Sequence, residues 1–165
     1  MTVGRAVYRT RQFAQYALGG AAPVDDGAVR AVLPAALATI FLGMDPASQR
    51  HHLAVFRRVV AAGCDDPDVV AAALLHDLGK GRVSPLDRTA WVLLERTPWL
   101  ASRLAGDGRR GWTALYRLAH HPAIGAAQVG AAGGSDRLVW LIANHQRNDL
   151  DDPGLRILRA ADDES

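Results

Sequence analysis

The residues best suited to chemistry follow a run of small and apolar side chains, where His76, Asp77 and Lys80 appear in quick succession. On a helix that begins near Pro67, the spacing of apolar residues predicts that His76 and Asp77 continue the buried face. Burying an unpaired carboxylate is costly, but a metal ion that takes both side chains as ligands removes that cost. We expect Gly79 to end this helix as a left-handed cap, which would place Lys80 at the rim of a metal site.

Lys80 is the only lysine in the chain, and the other eighteen basic residues are arginines. Composition alone therefore does not explain a lysine at this position. We interpret Lys80 as a functional residue beside the metal ligands.

The distribution of histidines decides between a metal site and an ordinary helix end. An isolated His-Asp pair is usually a helix C-terminus, where the imidazole interacts with the helix dipole and the carboxylate is solvated. In this chain the histidines instead lie at or near the ends of predicted helices or on their apolar sides. They are His51, His52, His76, His120, His121 and His145. This distribution favours a shared metal site.

Length and composition indicate one cytoplasmic domain. The 165 residues are enough to bury a core, and a single cysteine, Cys64, excludes an internal disulfide and fits a reducing compartment. We interpret Cys64 as a small buried hydrophobe. The net charge of +2 is too small to indicate a nucleic-acid partner. The N-terminus lacks a signal-peptide pattern, and the longest uncharged segment, 31–44, is too short to span a bilayer and is predicted to be a buried helix.

The predicted fold class is all-α, because alanine and leucine dominate and Pro or Gly recurs at helix-sized intervals. Two helices, over about 7–18 and 27–42, are expected to form an N-terminal extension (1–46) packed on a core domain (47–165). Pro122 is expected to take His121 out of the α conformation, so that one helix stops there and another restarts. Further helix starts are expected at Asp45-Pro46, Asp66-Pro67, Ser84-Pro85, Thr97-Pro98, Gly134-Ser135 and Asp152-Pro153.

The last helix offers two neighbouring carboxylates, of which periodicity selects one. Leu155 and Leu158 share a face with Asp162, whereas Asp163 lines up with arginines. We therefore expect Asp162 to point inward.

Taken together, these residues resemble the HD superfamily of metal-dependent phosphohydrolases, and within it the variants with six ligands and two metals. The resemblance covers about residues 47–163 and implies an HD-domain helical bundle, here with two additional N-terminal helices. It rests on five segments: Gln49-Arg50-His51, Ala73-Leu74-Leu75-His76-Asp77-Leu78-Gly79-Lys80, His121-Pro122-Ala123-Ile124-Gly125-Ala126, Leu141-Ile142-Ala143-Asn144-His145 and Ala160-Ala161-Asp162. The third and fourth segments are similar to those of bacterial HD-type diadenosine tetraphosphatases, and the N-terminal half is similar to small standalone HD proteins.

Two adjacent histidine pairs each leave a choice of ligand. A helical wheel places His52 nearer the centre of the apolar stripe than His51, but the family pattern selects His51. We assign His52 to packing. His121, rather than His120, matches the family segment that precedes Ile124-Gly125.

The resemblance implies a two-metal centre. It assigns one ion to His51, His76 and Asp162 and the other to His121 and His145. Asp77 bridges the two ions, which hold a hydroxide between them. Imidazole and carboxylate ligands suit Mn(II), Fe(II), Co(II), Ni(II) or Zn(II), and the sequence does not choose among them.

Cationic side chains are expected to neutralise the phosphate charge of the substrate. Lys80 is the first candidate, and Arg109, Arg110 and Arg147 are further candidates. A solvated surface position is the commoner role for each arginine, and the segment 106–111 is interpreted as a solvated connection with a phosphate-binding lid as the alternative.

The function that follows is hydrolysis of a phosphate ester or anhydride, with a nucleotide or a dinucleoside polyphosphate as the substrate. One alternative is an HD-type diiron oxygenase, because myo-inositol oxygenase resembles the same ligand order. Another alternative is a non-catalytic, metal-stabilised sensing or interaction module whose first two helices contact a partner. No membrane partner is expected, and the sequence leaves a homodimer open.

Overall fold

The computed structural model describes residues 26–95, 97, 103 and 113–165, and within these ranges the chain contains no strand. The predicted all-α class is therefore confirmed. The helices are α1 (Asp26–Val32), α2 (Ala35–Leu42), α3 (Pro46–Ala61), α4 (Pro67–Leu75), α5 (Pro85–Glu95), α6 (Thr113–Ala131), α7 (Asp136–Asn144) and α8 (Pro153–Asp163). A 3-10 turn, Leu78–Lys80, follows α4. The helices expected over 7–18 and after Thr97-Pro98 lie outside the described residues.

Side-chain caps start four of the five helices that carry the candidate site, as their sequences predict. Asp45 accepts hydrogen bonds from the first backbone N–H groups of α3, and Asp66 does the same for α4. Ser135 caps α7 and Asp152 caps α8. Proline follows the cap directly in α3, α4 and α8, where its missing N–H is not needed.

The helix expected over about 27–42 is interrupted, which corrects the prediction of one continuous helix. α1 ends at Val32 and α2 begins at Ala35. Pro34 lies between them, and a proline disfavours the helical conformation of the residue before it and donates no hydrogen bond. The prediction of a single helix gave too little weight to this proline.

Helices α1 and α2 contribute to the same core as the rest of the described chain. Val29 of α1 and Phe41 of α2 are fully buried and belong to one cluster with side chains of α3, α4, α7 and α8. Helix α4 lies at the centre, since every residue from Val69 to Leu75 is buried. The predicted boundary near residue 46 stays a prediction. In the described part of the chain, no helix combines the length and the apolar character that crossing a bilayer requires.

The helix that contains His121 does not stop at Pro122, so this prediction is wrong. Helix α6 runs through Pro122 to Ala131. Pro122 cannot donate to the carbonyl of Leu118, four residues earlier, but the His121 Nδ1 lies 2.8 Å from that oxygen. The histidine thus replaces the hydrogen bond that the proline removes.

The predicted role of Gly79 is also wrong. Helix α4 ends at Leu75 with His76 as its C-cap, and Gly79 lies buried in the 3-10 turn without a positive φ. A Cβ atom on Gly79 would lie 2.1 Å from the His121 carbonyl oxygen and 2.7 Å from the Gly125 nitrogen. Glycine is therefore required by the close approach of the turn to α6, and the left-handed residue is Gly81, at φ 58°.

We predict that Gly79→Ala lowers the free energy of unfolding by at least the ~1–3 kcal/mol typical of overpacking, because the obstructing atoms are backbone atoms that cannot move aside. Urea unfolding measures this change. Gly130→Ala is the matched control in α6, since its Cβ would meet Val139 at an ordinary 3.5 Å. The control should be neutral or stabilising by up to about 1 kcal/mol. Equal losses in the two variants would contradict the packing argument.

Candidate metal centre

Five elements bring the six predicted ligands into one cluster. His51 comes from α3, His121 from α6 and Asp162 from the last turn of α8. His76 and His145 are the C-cap residues of α4 and α7. Asp77 follows at φ −97° and ψ 8°, in the sparsely populated bridge region where active-site residues are often found. Thus three of the ligands lie at a helix C-terminus rather than within a helix.

The two carboxylate oxygens of Asp77 face two different groups of imidazoles. Its Oδ1 lies 3.2 Å from the Nε2 of His121 and 3.6 Å from the Nε2 of His145. Its Oδ2 lies 3.7 Å from the Nε2 of His76 and 3.9 Å from the Nε2 of His51. One carboxylate therefore divides the cluster into two halves.

Asp162 completes the half that contains His51 and His76. Its Oδ1 lies 3.1 Å from the Nε2 of His51 and 3.4 Å from the Nε2 of His76. His51 and Asp162 are each about one third exposed, whereas His76 is fully buried. The cluster is thus accessible from the side of α3 and α8, which gives an ion a path to it.

Hydrogen bonds to backbone carbonyls fix the tautomer of three of the four buried histidines. The Nδ1 atoms of His76, His121 and His145 lie 3.3, 2.8 and 2.8 Å from carbonyl oxygens three residues earlier. Because a carbonyl only accepts, each Nδ1 must carry the hydrogen, which leaves the lone pair on Nε2. Two of these carbonyls lack a backbone donor because they lie in the last turn of a helix. The third lacks one because Pro122, four residues later, has no N–H. The same anchoring orients histidines in metal sites generally.

The lone pairs that point into the cluster have too few hydrogen-bond donors around them. The Nε2 atoms of His121 and His145 lie 3.2 Å apart, so a proton or a metal ion must lie close to both. Among the described residues, the Nε2 of His76 and the Oδ1 of Asp77 are buried and make no hydrogen bond. Since buried acceptors without a partner are costly, this donor set fits a divalent metal ion in each half.

The electrostatics of the cluster also favour bound cations. Burial raises the pKa of Asp77, but the imidazole of His76, followed by the other neighbouring imidazoles, outweighs burial and holds this pKa well below its usual value. Burial likewise raises the pKa of Asp162, and the close approach of the His51 and His76 imidazoles brings it below its ordinary value. Burial lowers the pKa of His76, yet Asp77 and Asp162 outweigh it and raise that pKa. Both carboxylates are therefore ionised, and their field attracts positive charge.

His52 lies closer to the cluster than a packing role requires. Its ring centroid is 4.9 Å from that of His76, and one of its ring nitrogens lies within 4.8 Å of a ligand atom from each of His51, His76 and Asp77. Burial, followed by the charge of His76, lowers the pKa of His52 to about 3, so its imidazole is neutral at neutral pH. The contact of His51 with Asp162 favours His51 as the ligand, and this assignment stays a prediction.

Lys80 pairs directly with the dividing carboxylate. Its Nζ lies 2.5 Å from the Oδ2 of Asp77, and its side chain is 29% exposed. Arg117, which sequence reasoning missed, holds the backbone that carries this lysine: its Nε donates to the Lys80 carbonyl at 3.2 Å and its Nη2 to the Arg82 carbonyl at 2.9 Å. The sequence could have indicated Arg117, because it lies one helical turn before His121 and so on the same side of the helix.

The other residues proposed from the sequence lie away from the ligand cluster or outside the described residues. The guanidinium of Arg147 is exposed and binds Asp149, with an Nη2 to Oδ2 distance of 2.6 Å. The ring of His120 lies tilted against that of Tyr116, with centroids 4.5 Å apart. Arg109 and Arg110 lie outside the described residues. The thiol of Cys64 is partly buried, and burial raises its pKa, which opposes a role as nucleophile.

Comparison with known families agrees with this geometry. A family model described as HD domain matches residues 49–165, and the chain therefore belongs to the HD domain family. The matched segment begins in α3 and contains all six predicted ligands. Metal-dependent phosphohydrolase activity is typical of this family, and its histidines and aspartates bind divalent metals. No curated protein and no solved structure gave a significant match.

We predict that removing bound metal lowers the melting temperature by about 5–10 °C. Loss of an ion present at 100 times its dissociation constant costs about 2.7 kcal/mol, and 1 kcal/mol shifts the transition of a chain of this size by roughly 2–4 °C. Thermal melts before and after chelation, with metal content measured in parallel, test this prediction. A melting temperature that does not change after verified metal removal would indicate that the released ion was not bound by the buried cluster.

We predict that the two neighbouring carboxylates of α8 behave differently. Asp162→Ala removes the carboxylate that faces His51 and His76 and should release the ion of that half while the other half retains its ion. Asp163→Ala is the matched control, because Asp163 is exposed, and its stability should change by no more than about 0.5 kcal/mol. Elemental analysis of both variants gives the result. Equal metal loss would show that the assigned face of α8 is wrong.

Proposed function

We propose that this protein hydrolyses a phosphate ester or anhydride at two divalent metal ions. The observation that carries this proposal is the position of Asp77, whose two oxygens each face a separate group of histidines. A carboxylate shared in this way is suited to two adjacent ions, and two-metal sites are characteristic of phosphoryl hydrolysis.

The ligands divide between the ions as follows. His51, His76 and Asp162 would hold one ion, His121 and His145 would hold the other, and Asp77 would contact both. Mn(II), Fe(II), Co(II), Ni(II) and Zn(II) all accept this set of imidazoles and carboxylates. Bound ions of this type activate water at neutral pH and polarise the phosphoryl oxygens of a substrate.

The chain itself contributes orientation and charge. The carbonyl contacts of His76, His121 and His145 keep their Nε2 lone pairs directed at the ions. Burial of these rings keeps water away from the ligands, which strengthens electrostatic interactions inside the site. The ammonium of Lys80 lies beside Asp77 and is partly exposed, so it can turn to neutralise a phosphate oxygen.

Metal analysis combined with an anaerobic hydrolysis screen tests the proposal. The metal-loaded protein is assayed against a chromogenic phosphate ester and a panel of nucleotides, with Asp77→Asn as the inactive control. Release of inorganic phosphate without oxygen supports hydrolysis. Turnover that requires oxygen and shows visible iron bands would favour an oxygenase, and bound metal without turnover on any phosphate would favour a sensing or interaction module.

We predict that Lys80→Ala lowers kcat by roughly tenfold to a thousandfold, the usual effect of removing one donor that stabilises developing charge. Its metal content should be unchanged, and its melting temperature should fall little because the lysine is partly exposed. Steady-state kinetics and thermal melts on metal-verified protein make the comparison. Lys80→Arg is the conservative control, and we expect incomplete recovery because a planar guanidinium does not replace a compact ammonium. A variant with reduced stability and unchanged kcat/KM would place Lys80 outside the reaction.

A further inference from the structure

A cavity of about 280 Å³ lies beside the ligand cluster. Asp77 and the buried ring of His52 both line it, so the cavity extends to the carboxylate that divides the two halves of the centre. Its other walls come from α2, the corner between α2 and α3, the segment after the 3-10 turn and Gln128 of α6. A substrate whose phosphate lies at the ions beside Asp77 can therefore extend into this space.

Two independent contacts fix the walls of the cavity. The side chain of Gln49 donates to the carbonyls of Phe41 and Leu42 at 3.3 and 3.0 Å, which ties the end of α2 to α3. On the opposite side, Arg117 holds the carbonyl of Arg82, a residue that lines the cavity. The cavity is thus formed before a ligand binds, as is usual for small-molecule sites.

The lining combines apolar surfaces and uncharged polar groups with three charged side chains, Asp45, Asp77 and Arg82. Ile40, Met44 and Leu78 supply the apolar surfaces, and Thr39, Ser48 and Gln128 supply hydroxyl and amide groups. The carboxylate of Asp45 also lines the cavity, but it accepts hydrogen bonds from Ala47 and Ser48 as the cap of α3. This surface suits a planar group with apolar faces and a hydrogen-bonding edge, which is the chemistry of a nucleobase.

The volume limits how much of a substrate can enter. Pockets that enclose drug-sized ligands measure about 300–1,000 Å³, so a cavity just below that range holds one compact organic group. A dinucleoside polyphosphate carries two such groups joined by a long anionic chain. The cavity has room for one of them, and its lining supplies one cation, Arg82.

We propose that this cavity is the leaving-group subsite and that the substrate is a phosphate monoester of a single nucleoside. This inference rests on the proposed hydrolysis. In the reaction, the oxygen of water forms a new bond to phosphorus, the bond between phosphorus and the ester oxygen breaks, and a proton passes to that oxygen. The products are a nucleoside, which leaves from the cavity, and inorganic phosphate.

Bulky substitutions at the exposed edge of the cavity provide the test. Thr39→Trp and Gln128→Trp fill the space from two different helices, and both residues are exposed, so neither change disturbs the core. The only hydrogen bond that the Thr39 hydroxyl donates among the described residues is to Ala35 within its own helix. Ala36→Trp and Ala127→Trp are the matched controls, because both positions are exposed on the same two helices and lie outside the cavity lining.

Adenosine 5′-monophosphate, inorganic tripolyphosphate and diadenosine tetraphosphate serve as the substrates. We expect each cavity variant to lower kcat/KM for adenosine 5′-monophosphate at least tenfold and to leave hydrolysis of tripolyphosphate, which has no organic group, unchanged. Both control variants should match the wild type. Wild-type kcat/KM for diadenosine tetraphosphate should be at least tenfold lower than for the monophosphate.

Two results would overturn the inference while hydrolysis itself stands: cavity variants that act on the monophosphate like the wild type, or a wild type that prefers diadenosine tetraphosphate. If the wild type hydrolyses none of these compounds, the proposed function fails, and binding of adenosine alone then decides whether the cavity is a nucleoside site. Ligand-observed NMR should show adenosine bound to the wild type and to the controls but not to Thr39→Trp. Absence of adenosine binding to the wild type would overturn the inference.

Discussion

The structure depends on one buried carboxylate that must face four imidazoles. Asp77 can take this position because Gly79, two residues later, lets the 3-10 turn lie against the backbone of α6 at His121. A side chain at residue 79 would separate the turn from α6 and with it the Oδ1 of Asp77 from the Nε2 of His121, which are now 3.2 Å apart. The close backbone approach and the geometry of the metal centre are therefore a single constraint.

Helix ends, rather than helix faces, position most of the ligands. His76 and His145 cap α4 and α7, where the last carbonyls have no intrahelical donor, and an imidazole can take one of them through Nδ1. Within α6 the same free carbonyl is created by Pro122, directly after His121. Proline thus orients a ligand without interrupting the helix, because the hydrogen bond it removes is replaced by the ligand's own side chain.

Caps predicted the starts of α3, α4, α7 and α8, and the phase of α8 distinguished Asp162 from Asp163, because caps and helical periodicity are local properties. The choice of His51 and of His121 came instead from the family resemblance, since a helical wheel favoured His52 over His51. Contacts between elements could not be predicted from these local patterns. The role of Gly79 depends on α6, the continuity of α6 depends on a side chain that compensates for Pro122, and the closeness of His52 to His76 depends on how α3 packs against α4. Each of these requires the relative position of two helices, which local periodicity does not specify.

Charge balance suggests an order of binding at the centre. The two carboxylates are ionised and Lys80 supplies one positive charge, so the carboxylates and the lysine together carry a net negative charge. If two divalent ions bind as proposed, they would add four positive charges and reverse that sign. Lys80 pairs with the Oδ2 of Asp77, and an ion held by the same oxygen would compete with the ammonium. Metal binding would then free the ammonium to meet a phosphate group, so the proposed ions would both create the anion site and make its lysine available.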